Sequence, residues 1–234
     1  MMKVFQSIIW SGILALLFVC CEYDNYSEPG SLLQGNLVFN GEPIHISNNS
    51  VEFELWEPGW QKSAPIYVSV NQDGAYSASL FDATYKLIIP EHQGPFRCVN
   101  NAVTNSDTII VEVNGNKNFN IEVEPYYMIR NVGFDVIGRE VTATFGLEQV
   151  ITDEDARSVE KVSFYMNKTR FVDFQWKVAD VSIDGEDIED MTSISMTLTV
   201  PDIVPSQNYV FTRIGVKIEG REDMLFSGVE KISL

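Results

Sequence analysis

An all-β chain built as two β-sandwich domains is what this sequence of 234 residues predicts, and three observations predict it. From Ser31 onward apolar and polar residues alternate with a period of two, Asn-Gly and Asp-Gly turns separate the alternating runs, and Pro125 falls between two such series. A period of two sends successive side chains to opposite faces, so each run reads as a strand with one face in a core. Asn, Asp and Gly tolerate the positive φ that tight hairpins require.

In the first series VEFELW (51–56) sets Val51, Phe53 and Leu55 on one face and Glu52, Glu54 and Trp56 on the other. Comparable runs occupy 32–39, 66–70, 75–80, 84–89, 108–113 and 118–123, with turns at NGEP, NQDG and NGN between them. Strands this short, joined by such turns, predict an antiparallel sandwich over 31–125. Pro125 cannot donate to a ladder, which places the domain boundary there.

The second series repeats the style without repeating the sequence. Alternation at 140–147, 159–166, 171–178, 193–200, 208–219 and 224–232 predicts a second sandwich over 126–234, immunoglobulin-like or fibronectin III-like. Within it FVDFQWKV (171–178) reads as a strand and Trp176 as core. ITDEDARSVE is the one stretch that suggests a helical turn, with Thr152 as its cap.

The first thirty residues follow different rules. Lys3 and the apolar run 8–19 have the form of a signal peptide, too short for a bilayer span of roughly 20 residues. The run ends in Cys20 and Cys21. A small residue favours cleavage before the modified position, so Cys21 is the expected lipid attachment point, with 1–20 removed and 21–30 serving as a tether. If so, Cys98 is the only thiol of the mature chain, and the domains are stabilised by their cores without disulfides.

Charge and motifs exclude several classes of function. With 33 acidic and 16 basic residues the formal charge is −17, a surface that repels nucleic-acid phosphate. Two histidines, His45 and His92, are too few for a multi-histidine metal site. Pairing of Cys98 with His92 as a nucleophile is weaker than reading Cys98 as a small buried hydrophobe. The acidic stretches at 153–155 and 184–190 lack the spacing of a calcium loop. No catalytic residues, metal or cofactor are therefore assigned.

Two resemblances add to this reading. SLLQGNLVFNGEPI followed by VNQDGAYSASLFDATYKLII is similar to transthyretin-like modules, also seen as carboxypeptidase regulatory domains; Asp73, Gly74 and Tyr76 match their hairpin and Tyr85 their second tyrosine, while Ala83 stands where those modules carry Gly. Across its whole length, through CEYDNYSEP, LFDATYKL, GPF, VEPYYMIRN and YVFTRIGVK, the chain resembles a family of Bacteroidota surface lipoproteins of unassigned function. That resemblance implies a lipid-anchored protein of the outer membrane, exposed at the cell surface and associated with SusC/SusD-type glycan importers.

Aromatic residues carry the functional expectation. Indole and phenol faces stack on sugar rings when they stay exposed, and the candidates for glycan binding are Trp56, Trp60, Tyr67 and Phe96. The expected function is non-catalytic glycan binding as an accessory to such an importer. The alternative is a spacer or docking subunit with no ligand of its own.

Overall fold

The computed structural model describes residues 27–57, 59, 64–98 and 106–234. Cys20, Cys21 and Trp60 lie outside them.

The first domain contains β1 (Ser31–Phe39), β2 (Glu42–Pro43), β3 (Glu52–Trp56), β4 (Ile66–Ser69), β5 (Ala75–Leu80), β6 (Ala83–Ile88), β7 (Phe96–Cys98), β8 (Ile109–Val113), β9 (Lys117–Asn118) and β10 (Ile121–Pro125). One sheet runs β4-β3-β6-β8; the other runs β2-β1-β10-β7, with β5 and β9 also paired to β1. Alternate residues fill the space between them: Phe53, Leu55, Tyr85 and Leu87 from one sheet, Leu33, Leu37, Tyr76 and Val123 from the other, all buried. Phe53 and Tyr76 meet edge to face with centroids 4.8 Å apart, the arrangement that the ring quadrupole favours.

The second domain contains β11 (Tyr127–Ile137), β12 (Glu140–Gln149), β13 (Val159–Asn167), β14 (Ala179–Asp184), β15 (Ile194–Thr199), β16 (Tyr209–Ile218), β17 (Met224–Phe226) and β18 (Glu230–Ser233). Sheet β11-β12-β15 packs on sheet β14-β13-β16-β17, in which β18 also pairs with β16. The chain is thus all-β in two domains, as its alternation predicts. Its one described helical turn is a 3₁₀ turn, Gly185–Asp187. The helical turn expected near Thr152 is absent: Asp153 Oδ1 accepts the Asp155 N–H at 3.0 Å and closes a plain turn instead. The segment 171–178, expected as a strand, is a loop.

The strands β13 and β16 are buried on both faces. One face meets β11-β12-β15. The other has two covers, the first domain and the loop 168–178. The first domain is held through main-chain and arginine contacts. Arg213, fully buried, donates from Nη2 to Gln72 O at 2.7 Å and from Nε to Ser227 O at 2.8 Å. Arg221 donates to the carbonyls of Glu91, Gln93 and Gly94 at 2.7–3.0 Å. Phe226 N–H donates to His45 O at 2.9 Å. The NQDG hairpin is shaped for this contact: Asn71 Oδ1 accepts the Asp73 and Ala75 amides, and Gly74 takes φ 78°. A Cβ at Gly74 would stand 2.2 Å from Ile44 O, so the turn admits only glycine.

Candidate functional site

The predicted glycan-binding residues separate in space. Tyr67 on β4 is 62% exposed and pairs across the ladder with Glu54, while Trp56 pairs with Lys86, and Lys86 with Ile110. Cross-strand partners share a face, so Tyr67, Glu54, Trp56, Lys86 and Ile110 all lie on the outer surface of that sheet. Trp56 is half-buried and its indole N–H donates to Glu54 Oε2 at 2.8 Å. Phe96 does not join them. It is 1% exposed, its carbonyl accepts from Arg221, and a Cβ on Gly94 would meet its ring at 2.3 Å. Its position on β7, between the first domain's sheet and the second domain's arginine, makes it a packing residue, which corrects the expectation of a sugar contact.

The exposed aromatics that the alternation concealed lie in the second domain. In the loop after β13, Phe171, Phe174 and Trp176 are 51%, 45% and 59% exposed. Trp176 is therefore not core. Val172 between them is fully buried and packs with Tyr165, Met224 and Phe226 against the outer face of β13 and β16. One apolar anchor thus fixes the loop, while its three rings point away from the interior.

Polar contacts hold the backbone that presents those rings. Asp173 is buried, and its Oδ1 accepts the amides of Gln175 and Trp176, both at 2.8 Å. Its own N–H donates to Trp176 O at 3.2 Å. Such side-chain acceptors replace a backbone partner and favour a turn over a strand. Upstream, Asn167 Nδ2 donates to Phe171 O at 2.6 Å, and Gln72 Nε2 of the first domain donates to Arg170 O at 3.2 Å. Downstream, Val178 N–H returns to Met166 O at 2.8 Å. Lys177 sits over the Tyr165 ring and pairs with Asp180 at 2.9 Å; Arg170 pairs with Asp73 at 3.0 Å.

A backbone held in this way need not be ordered when a flat apolar face stacks on its rings. The arrangement suits a sugar ring, whose axial C–H groups present such a face. By contrast, Cys98 is suited to little chemistry: burial pushes its thiol up to about 11, and Sγ lies 3.8 Å from Ile89 O. A thiol so raised is protonated at neutral pH and a poor nucleophile. The sequence did carry a signal for the loop, since Asp173 interrupts FVDFQWKV and Asp is depleted in strands.

Comparison with known proteins identifies the same two-part organisation. Residues 31–124 match the family described as "Protein of unknown function (DUF3823) N-terminal domain", and residues 127–231 match "Domain of unknown function (DUF3823_C)". Among solved structures, a DUF3823 family protein from Bacteroides ovatus superposes with a TM-score of 0.76 at 28% identity, over 87% of this chain and 99% of that one. A DUF3823 family protein from Parabacteroides merdae gives 0.76 at 27% identity, over 88% and 100%. A proposed carbohydrate-binding protein from Bacteroides uniformis gives 0.70 at 17% identity, over 88% and 100%, and at that identity the likeness is one of fold. No match was found among curated proteins.

Proposed function

The chain belongs to the DUF3823 family, and on that footing we propose that it is a non-catalytic glycan-binding lipoprotein, anchored at the outer membrane through Cys21 and accessory to a SusC/SusD-type importer. The observation that carries this reading is the loop whose backbone is held by hydrogen bonds while Phe171, Phe174 and Trp176 are each left about half exposed. Water contact for three large rings is unfavourable at about 25 cal/mol per Å², and folding does not require them there. The carbohydrate-binding role proposed for the Bacteroides uniformis protein of the same fold points the same way. Lipid at Cys21 places the domains outside the membrane, where a soluble glycan reaches the loop.

Electrophoresis of the chain from Ser27 to Leu234 through gels containing polysaccharides tests this. Retardation in at least one gel, lost in Trp176→Ala, is the expected result. A docking subunit without its own ligand is the second reading. Ile137 and Val204 favour it, each 80% exposed in the second domain. Co-purification of an importer with the chain, combined with no retardation in any gel, would select it.

A further inference from the structure

Resting on the glycan-binding reading, we infer that the polysaccharide taken by the aromatic loop is uncharged, and that the protein discriminates against uronic-acid and sulfated chains. Arginine, with its planar fork, is the side chain best matched to carboxylate and sulfate oxygens. The chain has seven arginines, and every one makes a hydrogen bond or ion pair within the fold. Arg97 pairs with Glu124, Asp153 and Asp155 at 2.6–2.9 Å. Arg130 pairs with Glu42 and Glu148, and Arg139 with Asp202 and the carbonyl of Val200. Arg157 donates to Tyr126 Oη and Glu219 O, while Arg213 and Arg221 donate to the main-chain carbonyls of the domain junction.

The seventh, Arg170, adjoins the aromatic loop, and both oxygens of Asp73 accept from its Nη2, at 3.2 and 3.0 Å. The two lysines that flank the loop are engaged as well. Lys177 is paired with Asp180, and Lys168 donates to Val204 O at 3.3 Å. What lies exposed among the three rings is Gln175, whose amide both donates and accepts and so matches sugar hydroxyls without a charge. The chain as a whole carries a formal charge of −17, which opposes the approach of a polyanion.

Gel electrophoresis of the 27–234 chain through neutral polysaccharides (β-glucan, xylan, galactomannan, arabinan) and polyanionic ones (polygalacturonate, alginate, chondroitin sulfate), at low and high salt, tests the inference. Retardation by a neutral polymer, unchanged by salt and lost in Trp176→Ala, with none by the polyanions, is expected. Salt-sensitive retardation by a polyanion alone overturns the charge class and leaves the glycan-binding reading standing. No retardation in any gel overturns both. Asp73→Asn, which releases Arg170, is expected to create a salt-sensitive retardation by polygalacturonate that the parent chain lacks. A folded Asp73→Asn variant without that gain would show that ion pairing at the loop is not what excludes acidic chains.

Discussion

The outer face of β13 and β16 has two covers, and they achieve burial differently. The first domain approaches mainly through hydrogen bonds to main-chain carbonyls: Arg213 donates to Gln72 O, Arg221 donates to several, and Phe96, an aromatic ring at the junction, is buried. The loop 168–178 inserts Val172 alone and leaves three rings outside. The loop packs on Tyr165, Met224 and Phe226, and the first domain meets that cluster through the hydrogen bond from Phe226 N–H to His45 O. The difference teaches which aromatics the fold consumes and which it leaves over, a distinction that residue type alone does not make.

The largest expected effect breaks the first cover. Phe96→Ala removes a fully buried ring where β7 meets the arginine of the second domain, and truncations of this kind cost about 3 to 5 kcal/mol. Thermal or urea unfolding measures the loss. Polysaccharide retardation of whatever remains folded is expected to be unchanged, because Phe96 faces no solvent. Unchanged stability with lost binding would reverse the assignment of this residue.

Next comes the loop's own support. Asp173→Ala removes the acceptor of the Gln175 and Trp176 amides, at about 0.5 to 1.5 kcal/mol for each hydrogen bond lost. Binding is expected to fall with it, since the rings lose their fixed backbone. Trp176→Ala separates presentation from folding: an exposed position costs within about 0.5 kcal/mol of stability, while loss of one stacking face weakens binding by roughly 1 to 3 kcal/mol. Equal losses of stability and binding in Trp176→Ala would mean that the ring serves the fold.

Acid is expected to act on the first cover and spare the second. His45, whose carbonyl bridges to Phe226, has its imidazole held below the ordinary histidine value, first by burial and then by the nearby Arg213 cation. The folded state thus favours neutral His45. As pH falls through about 6.5 the unfolded chain takes up a proton that the folded chain resists, so stability drops. Asp223, raised by burial, works in the opposite sense: the folded chain binds its proton first, and stability rises as pH falls through its raised value. Melting temperatures between about pH 7.5 and 5.5 are expected to fall in the parent chain and to flatten in His45→Gln. A fall that persists in His45→Gln would assign the acid sensitivity elsewhere.

Much of this architecture was legible because it is local. Val51, Phe53 and Leu55 alternate, and the core takes them; NQDG announces a turn, and Gly74 makes one. What alternation could not supply was the neighbour on the far side of each strand. In 171–178 the pattern Val172, Phe174, Trp176, Val178 is as regular as any in the chain, yet no layer lies over the last three, and Asp173 turns the backbone out of the sheet. Pro125 marks the domain boundary, but nothing in the residues after it announced that Tyr127 opens an eleven-residue strand. Arg213 shows the same limit, since a charged residue inside the run YVFTRIGVK gives no hint that Gln72, far away in sequence, accepts from it.

The smallest expected effect concerns the outer sheet of the first domain, where Tyr67 and Trp56 share a face. Tyr67→Ala removes a ring that is mostly in water, so stability is expected to change by no more than about 0.5 kcal/mol. Trp56 spends its indole N–H on Glu54 and lies half-buried, and Glu52, Glu54 and Glu112 border it on the same face. That leaves Tyr67 as the single exposed aromatic among these residues, against three that are about half exposed in the loop. Polysaccharide retardation is therefore expected to survive Tyr67→Ala and to be lost in Trp176→Ala. If each substitution instead weakens retardation by a long polysaccharide while neither alters binding of a short oligosaccharide, the two surfaces act together on one chain. The gain would then come from effective concentration, which linked weak sites supply without any new contact, and the arginine-held junction would matter for binding because it fixes the distance between them.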